Sequence, residues 1–298
     1  MTNFYPKLLL FVAVGILAVS ASAQTLLRGA IDIHAHCDPD SVPRSIDAID
    51  LARLAKSRGM RGLVLKNHFV STASLAYIVR KEVPGIEIFG GIDLNRTVGG
   101  INPAAVEQMV HVKGGWGRVV WMPTFDAEND TLAPSHPRER VPVARNGNLL
   151  PEVKLVIGLV AKYNLVLETG HSSPEEGLLI IREARRQGVR HIVVTHAMLV
   201  GMTIPQMQEA RRMGAYLEFV YNALIGPNKK FELVDYAQAI RAIGVKSCIL
   251  ASDLGQAGNP LHPDGLAAFY AGLMKEGITE AEIKQMSVTN PAQALGLE

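Results

Sequence analysis

The feature that most constrains the fold of this chain is a regular alternation between short apolar runs and amphipathic stretches. Eight runs rich in β-branched residues are predicted to be strands: 30–36, 62–68, 86–94, 117–125, 164–171, 190–196, 214–220 and 247–253. Eight buried parallel strands that alternate with helices predict an α/β fold, a single-domain (β/α)8 barrel of the TIM type. An open doubly wound sheet is the competing architecture, but its glycine-rich phosphate motif is missing after the first run.

The first 23 residues have the pattern of a secretory signal peptide. Lys7 precedes an unbroken apolar stretch of twelve residues, and Ala21-Ser22-Ala23 supplies the small residues at which signal peptidase cleaves. Twelve apolar residues are fewer than the roughly 20 that a membrane-spanning helix needs. We therefore expect cleavage after residue 23, export to the periplasm without stable membrane association, and one barrel domain over residues 24–298.

The charge balance argues against partners that are bound by electrostatic attraction. The chain has 30 basic and 28 acidic residues, whereas proteins that bind nucleic acid or anionic membrane surfaces rely on a basic excess. We expect a small-molecule substrate and no nucleic-acid partner. No heptad repeat or obvious interface patch in the sequence indicates an oligomeric state.

One long irregular segment, residues 126–150, follows the fourth predicted strand. Within it, Asn146-Gly147 predicts a tight hairpin turn. Long loops at the carboxyl ends of barrel strands are often functional, so we interpret this segment as a lid over the barrel mouth; a solvated surface excursion is the alternative. A lid would bring three basic side chains towards an anionic substrate: His136, Arg138 and Arg140.

Histidine and aspartate side chains stand at the carboxyl ends of four predicted strands. His34 and His36 are two residues apart on the first strand, so both face the same side, which is the barrel interior. His171, His196 and Asp253 end the fifth, sixth and eighth strands. These strand ends meet at one face of a barrel, where imidazoles and a carboxylate can hold a divalent metal ion with an open coordination position. The pattern therefore predicts a metal centre.

The order of these residues resembles that of the amidohydrolase superfamily of metal-dependent hydrolases. The resemblance consists of His-x-His on strand one, histidines on strands five and six, and aspartate on strand eight, and it covers the mature chain. It implies that His34, His36 and Asp253 bind the metal and that Asp253 also accepts a proton. It further implies that His171 is a ligand, and that His196 binds a second metal ion or polarises the substrate.

The chain departs from that family on the fourth strand, where two-metal members often place a carboxylated lysine or a glutamate. Residues 117–125 offer neither. Lys66 and His68, at the end of the second strand, are spaced like the first histidine pair and are predicted to face inward. Lys66 is a candidate carboxylated bridge, substrate-anion contact or ion-pair partner of Asp32, and His68 is a candidate ligand. We expect one or two ions, zinc first from the nitrogen-rich ligands, with manganese or iron as alternatives.

Three further polar residues lie near the predicted strand ends. Glu168 is three residues from His171, so ordinary strand geometry points its side chain outward unless the strand bulges. Glu218, late in the seventh strand, and His262, after the eighth, are candidates for the pocket rim, with His262 as a candidate substrate contact, but we slightly favour a structural role for both.

Together these residues predict hydrolysis of an amide, lactone or related ester bond in a small molecule. A divalent ion can lower the pKa of a bound water to about 7 and polarise a carbonyl oxygen. Asp253 would accept the proton of that water, and His196 would stabilise the developing oxyanion. Three alternatives remain open: a single-metal decarboxylase or lyase of the same superfamily, a phosphoesterase that also begins with His-x-His, and a catalytically inactive binding protein.

Overall fold

Eight parallel strands form the centre of the protein in the computed structural model, which describes residues 25–129 and 139–297. Each strand pairs with its neighbours in chain order. We number them β1 to β8: Ile31–Ala35, Gly62–Leu65, Glu87–Asp93, Gly117–Trp121, Val166–Glu168, His191–Val194, Tyr216–Val220 and Cys248–Ala251. Strands β2 and β8 are buried at every residue, which explains why their sequences are continuously apolar rather than alternating.

A helix follows each strand and packs on the outside of the sheet. These helices, α1 to α8, are Ala48–Ser57, Ala73–Glu82, Pro103–His111, Pro151–Lys162, Pro174–Arg186, Ile204–Arg212, Leu233–Ile243 and His262–Lys275. Two short helices, α9 (Glu280–Lys284) and α10 (Asn290–Ala294), flank a π-helical turn at Gln285–Thr289. Among the described residues, no helix combines the length and apolar character that crossing a bilayer requires.

The barrel closes between its first and last strands just beyond the end of β8. The backbone N–H of Asp253 donates to the carbonyl of His34 at 2.9 Å, and the N–H of His36 donates to the carbonyl of Leu254 at 2.9 Å. The N–H of Ser252 donates to the carboxylate of Asp32 at 3.0 Å. Three metal-ligand candidates thus take part, through their backbones, in the hydrogen bonds that close the barrel.

The predicted (β/α)8 barrel is confirmed, but most strands end earlier than the sequence suggested. β2 ends at Leu65 and β5 at Glu168, each three residues before the predicted end. The polar residues that follow lie in loops at the carboxyl face. Consequently, of the predicted metal-site residues, His34 alone lies within a strand, and the others stand just past strand ends.

The hairpin turn predicted within residues 126–150 is also confirmed. Ala144–Arg145 pairs with Asn148–Leu149 in antiparallel fashion, and Asn146 and Gly147 between them have φ values of 51° and 73°. Two positive φ values in a two-residue loop are the geometry for which Asn-Gly is suited. Residues 130–138 of the predicted lid, and the predicted signal peptide, lie outside the described residues.

A sharp turn after β5 brings His171 into the site. Gly170 has a φ of +61°, and a Cβ atom at this position would lie 2.2 Å from the carbonyl oxygen of Met122. The next residue, His171, donates its backbone N–H to the carbonyl of Pro123 at 2.9 Å. Only glycine satisfies both the positive φ and this close approach of two backbones.

Replacing Gly170 with alanine is therefore expected to lower the free energy of unfolding by about 3 kcal/mol, combining the left-handed backbone penalty with a steric clash. Gly147→Ala is the matched control, because Gly147 also has a positive φ but no atom of the described residues lies within 4 Å of the point that its added methyl group would occupy. We expect about 1 kcal/mol there. Urea denaturation of both variants measures the difference, and equal losses would contradict the close approach.

Candidate metal centre

His34 lies between two carboxylates. Its Nδ1 is 3.1 and 3.2 Å from the two carboxylate oxygens of Glu218, and its Nε2 is 3.2 Å from Oδ1 of Asp253. An ionised carboxylate only accepts, so Nδ1 carries a hydrogen and donates it to Glu218. Nε2 makes no hydrogen bond, and it is the nitrogen left for a metal ion. A carboxylate behind a histidine is the usual support for a metal-binding imidazole.

Asp253 is the point at which the ends of β1, β7 and β8 meet. Its Oδ1 lies 3.1 Å from Nε2 of His36 as well as near His34. Its Oδ2 accepts a hydrogen bond from Nδ2 of Asn222 at 3.3 Å. Asn222 follows β7 and is itself buried, so it holds the carboxylate in one orientation.

His196 joins His34 and Asp253 in the tightest group of potential metal ligands. One ligand atom from each of these three buried residues lies within 4.8 Å of the other two. His196 has a φ of +27°, an unusual value for a non-glycine residue. Its backbone N–H donates to Oε2 of Glu218 at 2.9 Å, so the same carboxylate supports both His34 and His196.

His36 and His171 stand beside this group. The ring of His171 is 4.9 Å from that of His196, and the ring of His36 is 5.3 Å from that of His34, measured between centroids. Nδ1 of each of His36, His171 and His196 is buried and has no hydrogen-bond partner among residues 25–129 and 139–297. From the sequence we predicted that His196 faces the substrate unless a second ion is present; in the structure it lies near His34 and Asp253 and also lines the cavity described below.

Burial and charge set the protonation states of these groups. Burial lowers the pKa of His196 to about 4, and burial likewise holds the pKa values of His36 and His171 well below their usual range. Burial alone would raise the pKa of Asp253, but His34, His36 and nearby His196 outweigh it and hold that pKa well below its usual range. Asp253 is therefore ionised at neutral pH, and the three imidazoles are neutral.

This arrangement fits a divalent metal ion. Burial opposes a charge on His34, yet Glu218 and Asp253 together raise its pKa, which shows that the two carboxylates favour a positive charge between them. A cation at this position would balance the carboxylates and bond to imidazole nitrogens that otherwise have no partner.

His68 is held by a hydrogen-bond network that determines its tautomer. Thr124 donates its hydroxyl hydrogen to Oδ2 of Asp93 at 3.0 Å and accepts from Nδ2 of Asn95 at 2.7 Å. Nδ1 of His68 lies 2.9 Å from the same hydroxyl oxygen and 3.2 Å from Asp93. Because the hydroxyl hydrogen is already engaged, Nδ1 of His68 must donate, which leaves a lone pair on Nε2. His68 lines the cavity described below, so this lone pair is available to an ion or a substrate.

Lys66 forms an ion pair below the cavity. Its Nζ lies 3.2 Å from Oδ2 of Asp93 and 5.4 Å from the centre of the Trp121 ring. The ion-pair partner is thus Asp93 and not Asp32, which instead accepts the N–H of Ser252. Lys66 is fully buried and is not among the cavity-lining residues, so its placement does not support a direct substrate contact.

Glu168 points into the barrel, so the outward orientation expected from strand alternation was wrong. Its Oε2 accepts from the hydroxyl of Thr195 at 3.0 Å, and its side chain is buried. The turn at Gly170 changes the relation between positions 168 and 171, so strand alternation does not apply to them. Burial, with a smaller contribution from Glu218, raises the pKa of Glu168 to about 8, so Glu168 carries a proton at neutral pH.

A cavity of about 290 Å³ opens above the metal candidates, which is room for a small molecule. His34, His36, His68, His171, His196 and Asp253 all contribute to its lining. Two proposed substrate contacts and one proposed rim residue do not line it. Arg140 lines a separate surface depression, His262 is fully buried at the start of α8, and Glu218 is buried behind His34 rather than at the rim. Arg138 and His136 lie outside the described residues.

Sequence reasoning missed four residues of the site. Asn222 orients Asp253, Phe125 stacks on His68 with a centroid distance of 3.7 Å, and Arg44 and Lys230 line the cavity. Asn222 lies two residues past the end of β7 and Phe125 four residues past the end of β4, so their place near strand ends could have identified them. Arg44 and Lys230 lie in loops farther from any strand end, and no pattern in the sequence distinguishes them.

The shared support of His34 and His196 gives a test with a matched control. Glu218→Gln removes the negative charge that both residues contact, and we expect a 10- to 100-fold loss of zinc affinity. Glu168→Gln replaces a nearby buried acid that is already neutral, so zinc affinity should stay within about twofold of wild type, since no charge is lost. Competition with a chelating dye measures both. Equal losses in the two variants would contradict the role assigned to Glu218.

Solved structures of similar fold include several hydrolases. An amidohydrolase from Pseudomonas aeruginosa has a TM-score of 0.64 and 11% identity over 92% of this chain and 97% of that chain. An organophosphorus hydrolase from Deinococcus radiodurans has a TM-score of 0.63 and 17% identity over 92% and 94%. A third structure comes from a study that engineered organophosphate hydrolysis activity from a weak promiscuous lactonase template. It has a TM-score of 0.62 and 17% identity over 92% of this chain and 97% of that chain. At these identities the likeness establishes the fold, and it confirms at that level the resemblance seen in the sequence.

No curated protein matches the sequence. One family model matches residues 29–218, a segment that runs from just before β1 into β7. It contains His34, His36, His68, His171 and His196 and ends before Asp253. The match covers more than half of the chain, and the chain therefore belongs to DUF6282, a family of unknown function.

Proposed function

We propose that this protein is a metal-dependent hydrolase that cleaves an amide, lactone or related ester bond in a small molecule. The observation that carries the proposal is the convergence of ligand atoms from His34, His196 and Asp253 within 4.8 Å. This group lies at the carboxyl face of the barrel, where barrel enzymes place their active sites. Similarity of fold to proteins named as hydrolases supports the same reaction class.

We infer that His34, His36, His171 and Asp253 hold the ion, with His196 joining them or facing the substrate. Lys66 and His68 would take part if a second ion is present. The nitrogen-rich ligand set favours zinc, with manganese or iron as alternatives.

When bound, a divalent ion supplies a lower pKa for its bound water and polarisation of a substrate carbonyl. The chain's own groups then have distinct tasks. Asp253 is ionised and held by Asn222, so it can accept a proton and pass it to the leaving group. Glu218 fixes the hydrogen of His34 on Nδ1, away from the ion. His68 offers a lone pair from beside His36, whose ring centre is 4.7 Å from that of His68.

Metal content and an Asp253 variant test this function together. Elemental analysis of the purified protein should find one or two ions per chain, and chelation should lower the melting temperature, because the ion binds only the folded state. At saturating zinc, with occupancy verified, Asp253→Asn should lower kcat/KM on a panel of lactones, esters and amides by about 100-fold or more.

Asp264→Asn is the control for that variant, because Asp264 lies on α8 and pairs with Arg58 at the surface. Its activity should match that of wild type. Absence of stoichiometric metal, or full activity of zinc-loaded Asp253→Asn, would refute the proposed mechanism. Release of CO2 from carboxylic acids without any hydrolysis would favour the decarboxylase alternative instead.

We also propose that the protein is exported to the periplasm and loses residues 1–23. The charged start, the twelve-residue apolar stretch and Ala21-Ser22-Ala23 support this. Expression of the full chain in a Gram-negative host should yield a periplasmic product whose N-terminal sequence begins at Gln24. Recovery of the uncleaved chain from the cytoplasm would count against export.

A further inference from the structure

The walls of the metal cavity differ in chemical character. One part is apolar and includes Phe125, Leu199 and Pro227, whereas Arg44 and Lys230 bring two positive charges. Within the described lining, Asp253 is the one carboxylate, and it faces the imidazoles of His34 and His36. The two cations therefore have no negative side chain opposite them on the described cavity wall.

Arg44 is a nearly buried cation with unused hydrogen-bond donors. Its side chain is 5% exposed, and Nε donates to Oδ2 of Asp40 at 2.7 Å. Nη2 lies 2.6 Å from the same oxygen but without hydrogen-bond geometry. Throughout residues 25–129 and 139–297, no acceptor forms a hydrogen bond with either Nη atom of Arg44. Because Nη2 is buried against Asp40, Nη1 is the donor of this guanidinium that is left to bind an oxygen of an oxyanion.

The backbone fixes Arg44 close to the metal ligands. Arg44 forms an antiparallel bridge with Gln256, and the next residue, Ser45, donates its N–H to the carbonyl of Gly255 at 2.9 Å. Gln256 also lines the cavity and donates from its side chain to the carbonyl of Asp253 at 2.8 Å. Arg44 is thereby tied to the segment that begins with Asp253.

Lys230 is an exposed cation of the cavity wall. Its backbone N–H donates to the carbonyl of Ala223 at 2.8 Å, which anchors the residue. Its ammonium group forms no ion pair within the described parts of the chain. The preceding Lys229, in contrast, pairs with Glu232 at 2.6 Å and does not line the cavity. Lys230 is therefore the lysine of this pair whose charge acts on a molecule entering the cavity.

We propose that the substrate carries an anionic group, a carboxylate or phosphate, which Arg44 binds and Lys230 attracts. An apolar part of the substrate packs against Phe125 and Leu199. This inference rests on the proposed function, because it takes the metal cavity to be the substrate site. Unlike Arg140, which lines a separate surface depression, both residues line the metal cavity.

Binding of small anions to the zinc-loaded protein tests the proposal without requiring turnover. Isothermal titration calorimetry would compare glutarate and inorganic phosphate with glutaramide, the neutral counterpart of glutarate. We expect glutarate to bind wild type about tenfold more tightly than glutaramide, and Arg44→Gln to remove about tenfold of the affinity for anions while leaving glutaramide unchanged. The anion with the larger Arg44-dependent gain identifies the substrate group as carboxylate or phosphate.

Two lysine variants complete the comparison. Lys230→Gln should weaken anion binding about threefold at low salt and have no effect in about 1 M NaCl, where screening is strong. Lys229→Gln is the matched control and should bind like wild type at both salt concentrations. Wild-type anion affinity in both Arg44→Gln and Lys230→Gln would overturn the proposal.

Arg44→Gln leaves Asp40 without its cation, so loss of folding is a separate concern. The double variant Asp40→Asn/Arg44→Gln removes both charges of the ion pair and so leaves no unpaired buried charge. Lys230 is on the surface, so its substitution should not affect folding, and these variants keep the test informative.

The outcome of this test can be distinguished from the outcome of the test of the hydrolase assignment. Arg44-dependent glutarate binding without hydrolysis of any ester would overturn the assigned reaction and keep the anion site. Hydrolysis of an ester together with anion binding that does not depend on Arg44 would keep the assigned reaction and overturn the anion site.

Discussion

The Glu218 carboxylate is the interaction on which the rest of the site depends. From β7 it accepts Nδ1–H of His34 on β1 and the backbone N–H of His196 after β6. Without it, two buried donors would lose their acceptor, and a buried donor without a partner costs about 1–3 kcal/mol. The same negative charge favours a cation beside His34. One fully buried acid thus sets the geometry, tautomer and electrostatics of the proposed ligand group.

The fold was predictable because its pattern is spread over the whole chain. Apolar runs alternate with stretches of helical spacing eight times. The predicted strand ends also placed His34 and Asp253 correctly at the carboxyl face of the barrel. The directions of individual side chains were harder to predict from the sequence, since they depend on local backbone geometry. The turn at Gly170 reverses the expectation for Glu168. Lys66 pairs with Asp93 from β3, although Asp32 from β1 is an equally near neighbour in strand order.

The end of the fourth strand has a different task from the one it performs in two-metal members of the resembled family. Thr124 supplies no charged ligand, but it fixes the tautomer of His68 together with Asp93 and Asn95. The resulting lone pair comes from the end of β2. Buried hydrogen bonds at the end of β4 can thus orient a nitrogen that comes from β2, two strands away.

Because the barrel closes through His34, His36 and Asp253, the proposed ligand set is assembled only after β8 has been synthesised and has joined β1. His36 and Asp253 are 217 positions apart, yet the hydrogen bonds that close the barrel pass through their own backbone atoms or those of adjacent residues. A nascent chain that has not yet produced β8 has only part of the ligand set. Full affinity for the proposed ion would therefore require a molecule whose first and last strands have met.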